Sequence, residues 1–254
     1  MEEQADTAAA IAGLRNALAG FRVHDASPLI EPSMPTFVAH GAPAIEPVLR
    51  HEVEGAASNQ LTINEHTGSH VDAPFHFDPA GATVELLPAD CLFLRPYKKL
   101  DLSGKAAGGG EMLGVDALRA AAERDGVELE PGDVAIVEFG WDRHWPGEPG
   151  AEPGYWGANE PGLDDDACRY LAEAGVAAVG SDTAGCDVPC AAGEIGHGPG
   201  HSTWFLPRGI LVVEGLRGLA GVAPTGLIAA LPLKIAGGSG SPLRVLLLDR
   251  APEA

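Results

Sequence analysis

The chain has 254 residues, 45% of them apolar, enough to bury a sizeable core within one large domain. Its 36 acidic residues against 16 basic ones give a formal charge of −20. That field repels phosphate backbones and anionic lipid surfaces, so neither nucleic acid nor a membrane is an expected partner. No stretch approaches the ~18 uninterrupted apolar residues of a membrane span, and Met1-Glu2-Glu3 carries the wrong charge for a secretory signal. Four scattered cysteines (Cys91, Cys168, Cys186, Cys190) suit a reducing compartment, and the expected location is cytoplasmic. Cys186 and Cys190 read as ordinary buried residues, one of them near the site.

In chain order, Thr7 to Leu18 is Ala-rich with Ile11, Leu14 and Leu18 at helical spacing, which predicts an N-terminal helix. Ser27 to Pro47 is Pro-rich and irregular and reads as an arm. Residues 48 to 65 turn toward strand, with Leu61 and Ile63 alternating with Thr62 and Asn64 as in a half-buried strand. Val115 to Glu123 is helical in period, and Pro131-Gly132-Asp133 leads into the apolar run Val134 to Val137, a buried strand. The order repeats. Leu163, Ala167, Tyr170, Leu171 and Ala174 share a helix face, Asp164 to Asp166 suit its N-terminal dipole, Gly175 ends it, and Val176 to Val179 follows as a strand. Three further apolar runs, Ile210 to Val213, Leu227 to Leu231 and Leu243 to Leu248, complete the set, the last two separated by a turn from Gly237 to Pro242. The expected fold is mixed α/β, strand-rich with two or three helices, in a single domain spanning 1–254 with residues 1–47 as N-terminal helix and arm.

Chemistry concentrates in the run His66-Thr67-Gly68-Ser69-His70-Val71-Asp72-Ala73-Pro74-Phe75-His76. Imidazole and carboxylate are good ligands for zinc or manganese. His66 and His70 would share a helix face, but Asp72, two beyond His70, would share its side only on an extended chain. Gly68 and Pro74 also argue against a continuous helix. A turn at Gly68 passing into an extended piece lets His66, His70 and Asp72 converge on one ion and leaves a position for water, the mark of a catalytic metal site. His76 then stands apart, as a proton carrier or as a ligand to a second ion. A G-x-S-x-G elbow, a phosphate loop and an H-E-x-x-H helix are all lacking.

This run resembles the H-x-G-T-H-x-D-x-P-x-H signature of the cyclase-like metal hydrolases, the group of bacterial kynurenine formamidase and isatin hydrolase, with Ser69 in place of threonine. The resemblance continues through Phe139 to Trp145, Pro161-Gly162-Leu163, Val179 to Thr183 and Gly209 to Leu216. It implies a swivelling β/β/α-type fold and a homodimer or higher homo-oligomer in which the N-terminal arm can reach a neighbour. It also implies His66, His70 and Asp72 as metal ligands, with His76 as catalytic acid/base or bridging ligand. A later histidine and glutamate complete such sites, and His201 and Glu214 stand at the matching positions. Because the interval from His201 to the Gly209-Ile210 segment is about one residue longer than the resemblance implies, His197 is the alternative. Glu214 is a ligand with two ions, or an orienting group for water or His76 with one.

The reaction implied is addition of metal-activated water to an amide, lactam or ester carbonyl of a small aromatic or cyclic substrate, with a divalent metal, Zn2+ or Mn2+, in one or two copies. His76 would protonate the leaving atom. Phe77, Trp141, Trp145 and Trp204 are candidate pocket walls, and Asp182 reads as structural. Two other readings compete: a natural-product cyclase or dehydratase using the same metal and histidine, and a non-catalytic metal-binding protein.

Overall fold

The structure, a computed structural model, describes residues 2–105 and 108–250. Its frame is a nine-stranded sheet. The strands are β1 (Phe21–Asp25), β2 (His70–Asp72), β3 (Phe93–Asp101), β4 (Val134–Glu138) and β5 (Ala178–Ser181), then β6 (Leu211–Glu214), β7 (Thr225–Ala229), β8 (Gly240–Pro242) and β9 (Leu246–Arg250). They lie in the order β1-β9-β7-β3-β4-β5-β6-β2-β8. The middle four, β3 to β6, run parallel, and every pair outside them is antiparallel. Parallel strands covered on both faces need apolar residues at every position, which is why β4 reads Val-Ala-Ile-Val without alternation. Val134 and Ile136 enter one core while Ala135 and Val137 enter the other.

Helices supply one cover. Besides α1 (Glu2–Leu18), α2 (Val115–Asp125) links β3 to β4 and α3 (Asp165–Glu173) links β4 to β5. The fully buried Leu118 of α2 and Leu171 of α3 pack in the core that holds Val137 and Val179, each contributing roughly 1.5–3 kcal/mol by burial. An Asp164 carboxylate accepts the Ala167 N–H at 2.9 Å and caps α3. The fold is thus mixed α/β and strand-rich with few helices.

Four local expectations differ from what is observed. The long central strand β3 was not expected, because Arg95, Pro96, Lys98 and Lys99 break its apolar pattern. Lys99 is buried all the same, its ammonium held by Glu138 at 2.6 Å and the Leu219 carbonyl at 2.8 Å. Strand β8 occupies part of the stretch expected as a turn from Gly237 to Pro242, since β2 offers it a free edge. The alternating segment near Leu61 is a strand, Ser58–Thr62, but it pairs only with Ala44–Leu49, which runs across the end of the expected arm, in a separate hairpin exposed along the whole Ser58–Thr62 strand. Helix α1 forms, yet Ile11 and Leu14 on it are each 55% exposed. No helix among the described residues is long and apolar enough to cross a membrane.

Candidate metal centre

The site is assembled where β2 and β6 pair and where the loop leaves the carboxyl end of β5. The run from His66 to His76 does pass through a turn, with Gly68 at φ +67°, into the extended β2 and then a short 3-10 turn, Pro74–His76. Ser69 anchors that turn by donating to the Gly215 carbonyl at 2.8 Å, just beyond β6. On β2 the side chains of His70 and Asp72 share a face. The antiparallel register sets Glu214 opposite His70, so three candidate ligands come from one patch of sheet. Gly240 of β8 faces Asp72. Any Cβ there would fall 2.7 Å from the His66 ring, so the glycine leaves room for that imidazole.

His201 arrives from a separate segment, the π-helical turn Gly200–Trp204, closed by the Phe205 N–H donating to the Gly200 carbonyl at 2.7 Å. A π-turn is how a helical turn takes up an additional residue, which matches the longer interval noted in the sequence. His197, the alternative, is exposed and lies 3.5 Å from the Ser202 hydroxyl, outside the cluster.

The hydrogen bonds fix which ring nitrogens face inward. The Gly68 carbonyl can only accept, so His70 Nδ1 donates to it at 2.9 Å and Nε2 is turned inward. That Nε2 lies 3.3 Å from Asp72 and 3.4 Å from Glu214. By the same logic His201 Nδ1 donates to Asp187 at 2.5 Å, and its Nε2 faces Asp72 at 3.2 Å and Glu214 at 3.4 Å. The Ser239 hydroxyl spends its proton on Glu65 at 2.7 Å, so it accepts from His66 Nε2 at 2.9 Å. His66 Nδ1 faces Asp72, 2.7 Å away.

Three imidazole nitrogens, one each from His66, His70 and His201, therefore face two carboxylates. Lone pairs facing carboxylate oxygens repel unless a positive charge sits among them. The charge balance of the cluster says the same. Burial opposes charge on His70, but hydrogen bonds to Asp72 and Glu214 outweigh it and raise the ring to about 10. Burial is likewise overcome at His201, chiefly by Asp187 and Glu214, so that it too is pushed up. Asp72 is held far below the ordinary carboxylate range, despite burial, by His201, His66 and His70. A divalent cation satisfies this donor set without extra protons, and the residues fit one. Two overlapping triads have ligating atoms within 4.8 Å of one another, His66/Asp72/His76 and His70/Asp72/Glu214.

His76 differs from the others. Its Nε2 is 3.9 Å from Asp72, its side chain is 28% exposed, and its ring packs on His66 with centroids 4.1 Å apart. Burial, reinforced by the surrounding histidines, lowers it to about 4, so its base form prevails at neutral pH.

A cavity of about 260 Å³ opens beside the cluster. Phe77 lines it, as do Trp145, Trp156, Phe37, His40 and Met34. Trp141 and Trp204, expected as walls, sit elsewhere. Trp141 is fully buried in the core, its indole donating to the Trp156 carbonyl, and Trp204 donates to Asp165 at 2.8 Å beneath the Arg208 guanidinium. Asp182 accepts the Phe139 and Trp141 amides at 2.7 and 2.6 Å, a structural role. Sequence reasoning missed Asp187, which holds His201, and the cavity wall formed by residues 28–40. A lone aspartate and a Pro-rich arm carry no motif that would signal either.

The family model Cyclase, described as "Putative cyclase", matches residues 24–188, more than half of the chain. The chain belongs to this family. It is 28% identical over 232 residues to the isatin hydrolase of Roseibium aggregatum, covering 85% of each protein. It is 34% identical over 204 residues to the kynurenine formamidase of Salinibacter ruber, covering 79% of this chain and 84% of that one. Among solved structures, an isatin hydrolase bound to the product analogue thioisatinate superposes with a TM-score of 0.81 at 26% identity, covering 96% of this chain and 98% of the other.

Proposed function

We propose that the chain is a metal-dependent hydrolase that opens a carbon–nitrogen bond, other than a peptide bond, in a small aromatic or cyclic amide. The observation that carries this reading is the convergence of three imidazole nitrogens and two carboxylates at the edge of an aromatic-lined cavity. His66, His70, Asp72, His201 and Glu214 would hold zinc or manganese, with His76 beside them. A divalent cation bound there lowers the pKa of water and polarises a carbonyl oxygen.

The chain's own residues do the rest. Phe37, Phe77, Trp145 and Trp156 give an aryl ring apolar surface against which its carbonyl carbon can be oriented toward the cluster. His76, neutral and partly exposed, takes a proton from the attacking water and returns it to the leaving nitrogen, so that the amine departs uncharged. Asp72 and Glu214 hold negative charge on the opposite side of His70 and His201 and keep those rings in place. Asp187 keeps the His201 proton on Nδ1 and so keeps Nε2 turned inward.

Metal-loaded chain is expected to open a bicyclic aryl lactam such as isatin, or an aryl formamide such as N-formylkynurenine, with release followed by absorbance. Inactivity on both by protein shown to contain metal would reject hydrolysis of these classes and favour the cyclase or dehydratase route.

We further propose a homodimer in a reducing, cytoplasmic setting. All four cysteines are free and buried. Ile11 and Leu14 on α1, together with Val48, Val53 and Leu61 on and beside the outlying hairpin, are 52–75% exposed apolar side chains that a second copy would cover. Light scattering on the eluting protein is expected to give twice the chain mass; a monomer would reject this assembly.

A further inference from the structure

One buried carboxyl near the centre has no part in the chemistry above. Glu160 is 1% exposed. Its Oε2 accepts two successive backbone amides, Ala184 at 2.7 Å and Gly185 at 3.1 Å, while its Oε1 is buried without a partner. The next amide of the same turn, Cys186 N–H, donates to Glu214 Oε1 at 2.9 Å. One turn therefore divides three consecutive amides between two buried carboxyls, and Ala184 and Gly185 are also part of the cavity wall. The main chain of Glu160 is pinned independently, by exchange of both hydrogen bonds with Cys190 and by the Gly110 amide. The carboxyl thus projects from a fixed point and clamps the turn from behind.

We propose that Glu160 is a positioning residue, which fixes the turn from Ala184 to Cys186 so that the Cys186 amide aims Glu214 at the metal centre. This rests on the metal-hydrolase reading above. Filling the volume alone would call for an apolar side chain. A carboxyl there incurs desolvation, and what it gains is two directed hydrogen bonds to successive amides of that turn. Its protonation state suits the role. Burial first, and then the neighbouring Glu214 carboxylate, push Glu160 well above the ordinary range, and a neutral carboxyl still accepts both amides.

The test compares the parent with Glu160→Gln and Glu160→Ala by zinc competition titration against a chromogenic chelator, with thermal unfolding run alongside. Gln is neutral and keeps an oxygen for both amides, so zinc affinity is expected within about threefold of the parent. Ala leaves both amides unpaired and lets Glu214 drift, and zinc affinity is expected to fall ~10–100-fold, the range typical of groups that orient metal ligands. Should Glu160→Ala fail to fold, Glu160→Asp, one methylene too short to span both amides, is expected to show the same loss. A folded Ala or Asp variant binding zinc like the parent would overturn the proposal, as would a Gln variant as impaired as Ala. A parent with no zinc affinity would instead overturn the metal-centre reading itself and this role with it.

Discussion

Asp72→Asn protein is expected to fold but to bind zinc or manganese more weakly by a factor above the ~10–100-fold typical of orienting groups, and to lose measurable turnover. Asp72 is the one carboxylate shared by the whole cluster. Its Oδ1 meets His66 at 2.7 Å and His70 at 3.3 Å, and its Oδ2 meets His201 at 3.2 Å and His76 at 3.9 Å. Asparagine keeps the shape but removes the charge, and its amide nitrogen presents hydrogens where a cation would sit. The carboxylate is buried to 1% exposure, so no solvent can replace the lost charge. Metal content of the purified variant and calorimetric titration would measure the effect. Parent-like affinity would mean that the cluster is an internal ion-pair network of imidazolium and carboxylate, and not a metal site.

The second large effect separates His76 from the other histidines. His76→Ala is expected to lower kcat by ~10²–10⁴, the span of general acid–base catalysis, while metal content stays near that of the parent. Its ring is the most exposed of the set and the farthest from Asp72, as suits a group that exchanges protons with substrate and solvent. Because burial holds it near 4, its base form persists from pH 5 upward, and kcat/KM should not fall through an acid limb near the ordinary histidine value of 6.5. A nearby cation displaces this pKa in the same direction. An acid limb centred at 6.5 that vanishes in His76→Ala would keep the proton-carrier role and contradict only the lowered His76 pKa. Loss of metal together with activity would place His76 among the ligands.

The sequence made the heart of this site readable because its chemistry is compressed into eleven residues, where Gly68 and Pro74 already dictate a turn and an extended piece. Glu214 and His201 lie far along the chain, and only the family resemblance tied them to that run. The structure supplies the physical link: the β6–β2 register sets Glu214 against His70, and a π-turn carries His201 inward. Three of the four parallel strands, β4 to β6, and the two crossover helices were legible for the ordinary reason that buried strands are uniformly apolar. Strand β3 was not, since a Lys99 neutralised by Glu138 is indistinguishable in sequence from a solvated lysine. Glu160 was invisible because its side chain meets main-chain amides up to 25 residues away, which leave no pattern in side-chain identity, and Asp187 because it meets His201 across an irregular loop with no fixed spacing. Trp141 and Trp156 illustrate the same limit: one is core and the other faces the cavity, and nothing local in the sequence distinguishes them.

The most direct test of the hydrolytic metal centre is turnover of a bicyclic aryl lactam by chelator-treated, dialysed chain before and after stoichiometric zinc or manganese is returned. The expected result is an inactive apoprotein that regains activity in proportion to the metal it takes up. Full activity in protein shown to be metal-free, or metal uptake with no gain in turnover of either a lactam or an aryl formamide, would contradict it.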